Sequence, residues 1–188
     1  MKLFITVFLI IITISLHGQD ENSSTKDTVD VSAIIKTFVG EWEGEATAFF
    51  PRKPDRPNRN EKVNVVCKEV LEGNYIECNT KWAIENGRTR KLLIFWTYNK
   101  KTEKFNILFL YDDWPEIVNY PLDYDPQNRV FRGLDNFTTS RGIKGEEHVE
   151  WEISADSNVI KGTEYNHYEN DPKDYWPKSF EFTWRRKN

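Results

Sequence analysis

Phe38-Val39-Gly40-Glu41-Trp42-Glu43-Gly44 is the stretch that decides how this chain is read. A short apolar lead-in meets a glycine, and a tryptophan follows two residues later. The alternation then continues through a strand expected at about Glu41–Phe50. Trp42, Gly44, Ala46 and Ala48 share one face, with Glu41, Glu43, Glu45 and Thr47 opposite. Gly40 permits a sharp turn, and Trp42 is large enough to plug one end of a closing β-barrel. The glutamates look like a catalytic cluster, but period-two alternation makes them a solvated strand face.

Upstream, Val31–Phe38 suits about two helical turns with Ile34, Ile35 and Phe38 on one side. Gln19–Asp30 has no apolar residue except Val29 and reads as a flexible polar tether. Lys2 followed by the apolar run Leu3–Leu16 is too short to span a bilayer, which predicts a secretory signal peptide over residues 1–18. A retained membrane anchor is the alternative. Residues 31–188 are then one domain, exported to a periplasm or medium and of bacterial type. A net charge of −4 argues against a nucleic-acid binder. Seven Trp, eight Tyr and twelve Phe beside a single Met suit a packed β-structure or an aromatic-lined pocket.

After Trp42 the chain reads as short strands bounded by turns. Pro51–Asn60 is a long, basic, proline-rich loop that would overhang one mouth of a barrel. A turn at Glu72-Gly73 pairs Val63 with Trp82, Val65 with Thr80 and Lys68 with Glu77. It also sets Cys67 opposite Cys78. With an export signal and two cysteines, a disulfide is expected, the alternative being two buried thiols. A zinc site lacks further ligands, and no metal is assigned.

A turn at Asn99–Thr102 sets Trp96 against Phe105, Ile94 against Ile107 and Leu92 against Phe109, all facing inward. The opposite face, with Leu93, Phe95, Leu108 and Leu110, is apolar too and needs cover from the helix or from a second copy of the chain. Asp112-Asp113 reads as a strand-end turn. The next hairpin puts Val118, Tyr120 and Leu122 beside Asp135, Gly133 and Phe131, so that Asp135 faces inward. Asn136-Phe137-Thr138 matches a glycosylation sequon, set aside because Phe137 reads as buried in a bacterial chain. Val149, Trp151, Ile153 and Ala155 alternate with His148, Glu150 and Glu152. A three-residue loop Asp156–Asn158 then sends Val159, Thr163, Tyr165 and His167 inward. The last strand buries Phe180, Phe182 and Trp184, with Arg186 on the same side.

About ten antiparallel strands with one apolar face predict an up-and-down barrel, which removes exposed edges and leaves room for one small ligand. Gly40-Glu41-Trp42 and Trp184-Arg185-Arg186 resemble the lipocalin-type (calycin) pattern. There, an arginine of the final strand packs on a Gly-x-Trp of the first; parity favours Arg186, with Arg185 the alternative. The chain also resembles an uncharacterised bacterial exported family of lipocalin-like domains of unknown function. The likeness lies in Phe38–Gly44, in Val70-Leu71-Glu72-Gly73-Asn74-Tyr75, and in the tract from Trp96 to Phe105 and on to Asp112. It implies a barrel without an assigned activity. Some barrels of this general type hold haem through a late-strand histidine, which would be His167 here; otherwise no cofactor is expected.

Three functions follow. A binding barrel for a small apolar or amphipathic molecule would use Trp82, Trp96, Phe109, Tyr111, Tyr120 and Tyr165, with Arg52, Lys53, Arg56 and Arg59 attracting an anionic head group. An enzyme would use Asp135 or His167 as acid or base. A packed domain would act through the Leu93, Phe95, Leu108 and Leu110 face, as a homodimer for example. No phosphate loop, Gly-x-Ser-x-Gly, His-Glu-x-x-His or Cys-x-x-Cys is present.

Overall fold

The computed structural model describes residues 30–84, 87–112, 114–139 and 141–187. The expected signal peptide, and the tether apart from Asp30, lie outside these residues. One short helix, α1 (Val31–Lys36), precedes ten strands: β1 (Gly40–Ala48), β2 (Arg59–Val70), β3 (Tyr75–Ile84), β4 (Thr89–Asn99) and β5 (Lys104–Tyr111), then β6 (Trp114–Asp125), β7 (Val130–Thr138), β8 (Lys144–Ile153), β9 (Val159–Tyr168) and β10 (Lys178–Arg186). Each strand pairs antiparallel with its neighbour in sequence, and β10 pairs with β1, so the sheet closes into a barrel. Closure gives every strand two neighbours and so leaves no edge strand, although β6 and β7 pair only through Asp123, Tyr124 and Asp125.

The end that carries α1 is plugged. The Asp30 side chain caps the helix by accepting from the Ala33 amide at 3.0 Å. The chain then drops Phe38 into the barrel, where its ring stacks on Trp96 at 4.1 Å. Gly40 follows at φ +131°, and a Cβ there would sit 2.6 Å from Arg186 Nη1. Arg186 lies over the Trp42 ring at 4.2 Å and donates to the carbonyls of Val39 (2.6 Å), Thr37 (2.8 Å) and Ser157 (3.3 Å). Trp42 Nε1 donates to Phe38 O at 2.8 Å. Arg186 is thus the partner of Gly40 and Trp42, and Arg185 points outward, exposed.

The hairpin β2–β3 has the expected register, and Cys67 and Cys78 are bonded across it inside the core. Three other hairpins differ from expectation. Tyr98 pairs with Phe105, Trp96 with Ile107, Ile94 with Phe109 and Leu92 with Tyr111, two residues from the expected register. The β6–β7 hairpin is displaced likewise, with Tyr124 opposite Phe131. Both loops close on a residue of positive φ, Glu103 and Arg129. A shift of two keeps every side chain on its own face.

The β8–β9 hairpin shifts by one residue, and that reverses a face. Ser154 and Val159 close a four-residue loop, Ile153 pairs with Ile160, and Ser157 rather than Asn158 takes positive φ. The Asp156 carboxylate accepts from Ser154 Oγ and the Asn158 amide, which fixes the loop. Ile160, Gly162, Glu164 and Asn166 therefore face the interior, while Val159, Thr163, Tyr165 and His167 do not. The expectation that Tyr165 and His167 point inward is corrected here.

Leu93, Phe95, Leu108 and Leu110 are half-buried on the outside of β4 and β5. Ile35 and Phe38 of the helical segment face the core rather than that patch.

Candidate functional site

The end opposite α1 holds an interior cavity of about 240 Å³. Its floor is aromatic: Trp82, Phe109, Trp151, Phe182 and Trp184. Trp151 packs edge-on against Phe182 (4.6 Å) and Trp184 (5.2 Å), so the floor is rigid. A larger concavity of about 670 Å³ lies on the outer side of β1, β2, β9 and β10, where Gly44 brings two backbones close together. Its walls are mostly polar outward-facing residues, Glu43, Lys62, Lys161 and Arg185 among them. The interior cavity is the candidate site, because the half-buried side chains of Arg59, Arg90, Glu147, Glu164 and Asn166 converge on it over an aromatic floor.

One wall is basic. Arg59 and Arg90 both reach Glu61, whose side chain is fully buried, at 2.6 and 3.2 Å. Adjoining them, Trp82 Nε1 donates to Thr80 Oγ1 at 2.7 Å, and Thr80 donates to Leu92 O. The facing wall is acidic. Glu147 and Glu164 stand on adjacent strands, and β9 brings Asn166 beside Glu147. Burial pushes the Glu147 carboxyl up to about 7, against a hydrogen bond from Asn166 that favours its charge. Burial also raises the Glu164 carboxyl well above its ordinary range, aided by the neighbouring Glu147 and opposed by Arg90. Tyr120 donates its hydroxyl to Glu147 from β6. Two carboxyls with raised pKa values on adjacent strands beside one cavity are unusual outside functional sites.

Residues 30–186 match the family described as "Protein of unknown function (DUF1579)". The chain belongs to this family. The DUF1579 match runs from the N-cap of α1 to the arginine that closes the barrel, so it takes in both plug and cavity. No curated protein matches the chain.

Within this DUF1579 domain, the expected ligand contacts divide. Trp82, Phe109 and Tyr111 line the cavity, and Trp184, expected only at the closure, joins them. Trp96 lies deeper, packed among Phe38, Phe131 and Trp151. Tyr120 is buried and serves Glu147. Tyr165 stacks with His148 on the outer wall. His167 stacks on Trp176, its Nδ1 lying 3.1 Å from Tyr175 O, which turns the ring away from the interior that a haem ligand would need to reach. Asp135 has the inward parity expected of it and pairs with Glu147 in the β7–β8 ladder.

The basic loop after β1 also divides. Arg52 is bound to Asp171 in the β9–β10 loop, donates to Asn166 O at 2.8 Å and covers the Tyr168 ring at 4.1 Å. Hydrogen bonding from Arg52 holds the Asp171 carboxyl below the usual range. Arg56 lies over Phe50, Lys53 is exposed, and Arg59 alone reaches the cavity.

Sequence reasoning missed Glu61, Arg90, Glu147 and Glu164. Glu147 shares the parity of Val149 and Trp151, so carrying that alternation back one step finds it. Glu61 likewise shares the parity of Val63 and Val65. Glu164 was hidden by the one-residue loop error.

Proposed function

We propose that this chain is an exported, lipocalin-like binding barrel that takes one small amphipathic molecule into the cavity opposite its helix plug. The observation that carries the reading is the cavity itself, aromatic below and lined with arginines and carboxyls above. Such a lining orients a ligand with an apolar body and one polar end. At about 240 Å³ it lies between cavities of about 150 Å³ that accept benzene and pockets of roughly 300–1,000 Å³ that take larger ligands. The occupant is of single-ring or short-chain size. The closure by Gly40, Trp42 and Arg186 supports the lipocalin-like reading. The Cys67–Cys78 bond supports an oxidising compartment, hence export.

Intrinsic tryptophan fluorescence titrated with p-cresol and with hexanol tests the reading. Saturable quenching is expected, and Ala48→Phe, which fills the cavity wall, abolishes it while the far-ultraviolet circular dichroism stays unchanged. Absence of saturation with both probes refutes it.

A second reading is acid–base catalysis, with Glu147 and Glu164 replacing Asp135 and His167 as the candidate groups. It is favoured by their raised pKa values beside a cavity. Self-association through Leu93, Phe95, Leu108 and Leu110 is compatible with either, and sedimentation velocity of the wild type against Phe95→Glu decides it.

A further inference from the structure

Going round the barrel, the lining of the cavity alternates in kind. β10 contributes the Phe180 ring, and its neighbours β9 and β8 contribute Glu164, Asn166 and Glu147. Farther round, β5 contributes Phe109 and Tyr111, then β4 and β2 contribute Arg90 and Arg59. In the closed strand order β10 lies five strands from β5 by either route, so rings stand across from rings. The acidic strands β8 and β9 lie likewise across from the stretch β2–β4 that carries the arginines. All of these side chains except Phe109 are half-buried, which leaves surface on them for a ligand to cover.

Both polar walls have hydrogen-bonding capacity left over. Arg59 binds Glu61 through Nε and Nη2, and Arg90 binds it through Nη2. A guanidinium has more N–H groups than that. The Nη1 groups of both arginines make no hydrogen bond among the described residues. Opposite them, Glu147 accepts from Tyr120 and Asn166, whereas the Glu164 carboxyl accepts none among the described residues.

Walls of opposite sign restrict the polar groups that fit between them. An anion drawn to the arginines comes up against Glu164, and a cation drawn to Glu164 comes up against the arginines. A hydroxyl both donates and accepts. Its oxygen serves a guanidinium and its hydrogen a carboxyl oxygen, whether or not that carboxyl carries a proton. A ligand with a single hydroxyl reaches one wall only. The groups on the other wall then lose water without replacement, at a cost of roughly tenfold in affinity each.

Resting on the binding reading above, we propose that the small molecule is a neutral sugar bound as a pyranose ring. Its C–H faces lie between Phe180 on one side and Phe109 with Tyr111 on the other. Its rim hydroxyls donate to Glu164 and accept from Arg59 and Arg90. A pyranose has apolar faces and hydroxyls on both sides of its rim, so it matches the rings along one axis and the polar walls along the other. The cavity of about 240 Å³ takes one such ring.

Isothermal titration of the disulfide-bonded chain with glucose, galactose and mannose tests this. Each sugar is run beside its uronic acid and its amino sugar, with cyclohexanol and p-cresol as rings that carry one hydroxyl. At least one sugar binds about tenfold more tightly than its charged counterparts and than cyclohexanol. Glu164→Ala, at a carboxyl that no hydrogen bond ties down, weakens that sugar about tenfold and leaves cyclohexanol unchanged. Phe180→Leu keeps an apolar side chain without the ring, weakens the sugar about fivefold, and serves if Glu164→Ala does not fold. A disaccharide of the same sugar that also binds makes the ring the end of a longer glycan, and one that is shut out makes it a free monosaccharide; both keep the pyranose. Tightest binding by a uronic acid or an amino sugar, or unchanged sugar affinity in Glu164→Ala, overturns the proposal. Binding of cyclohexanol or p-cresol with all three sugars excluded overturns the sugar and leaves the binding barrel standing; no binding of any probe overturns both.

Discussion

Replacing Trp42 by alanine removes a side chain with none of its surface exposed and undoes three contacts at the plugged end. The indole no longer donates to Phe38 O, the Arg186 guanidinium loses the ring beneath it, and the turn at Gly40 loses its support. Truncating a buried tryptophan costs about 3–5 kcal/mol. For a domain of this size each kcal/mol lowers the melting midpoint by about 2–4 °C, so a fall of roughly 6–20 °C is expected. Trp42→Phe separates the parts, because it keeps a ring under Arg186 and loses only the N–H and some volume. It costs about 1–3 kcal/mol, mostly for the Phe38 carbonyl left without a donor. Arg186→Lys keeps the charge but cannot serve three carbonyls from a planar fork. Because Trp42 and Arg186 touch, the double variant departs from additivity by about 0.5–3 kcal/mol. Thermal and urea denaturation of the wild type and these four variants supply these figures. An unchanged midpoint for Trp42→Ala, or strict additivity in the cycle, refutes closure through this pair.

Three further outcomes follow from the same geometry. The folded Glu147 pKa of about 7 lies above its ordinary value, so the native state keeps a proton that the unfolded chain has released over that window. Stability therefore falls as pH rises from about 4.5 to about 7, by roughly 2–3 kcal/mol from this group, and Glu147→Gln flattens the profile; parallel profiles for the two proteins refute the assignment. Gly44→Ala places a methyl 1.9 Å from the Thr183 carbonyl oxygen, and parting the β1–β10 ladder costs about 3 kcal/mol, read as a lower urea midpoint; an unshifted midpoint refutes the close approach. Breaking the Cys67–Cys78 bond, which joins residues 11 apart, costs about 2–3 kcal/mol. Cys67→Ala with Cys78→Ala should show this loss under non-reducing conditions and no further loss on adding reductant; a stability equal to wild type refutes it.

The barrel was legible wherever alternation and a marked turn coincide. Trp42, Ala46 and Ala48 announce the inner face of β1, and Gly73 centres the β2–β3 turn, so the whole ladder down to Cys67 and Cys78 follows. Register was lost where the loop residue of positive φ carries no sign of it. Glu103 and Arg129 take that conformation without being glycine or asparagine, and Ser157 takes it beside an asparagine that looked better suited. Two of those errors left every side chain on its own face. The third moved Glu164 into the cavity and Tyr165 and His167 out of it. The acid wall was passed over for a second reason: a glutamate on a strand is most simply read as solvated, although parity with Val63 and with Val149 already puts Glu61 and Glu147 on the inner face.

One ladder of the barrel is short. Among the described residues, β6 pairs with β7 only through Asp123, Tyr124 and Asp125, and the pairing stops before Pro121, which has no amide hydrogen to give. Above that point Leu122 packs over Gly133, and the Tyr120 hydroxyl reaches past β7 to Glu147. The wall is therefore a garment with its zip done up only at the hem, and a phenol–carboxyl button closes the rest. Parting it there breaks side-chain contacts and few backbone hydrogen bonds, so the amides of 117–122 that face β7 and those of 133–138 that face β6 exchange ahead of those in the β2–β3 ladder. Removing the Tyr120 hydroxyl widens that difference and gives the cavity a side entrance as well as an end one.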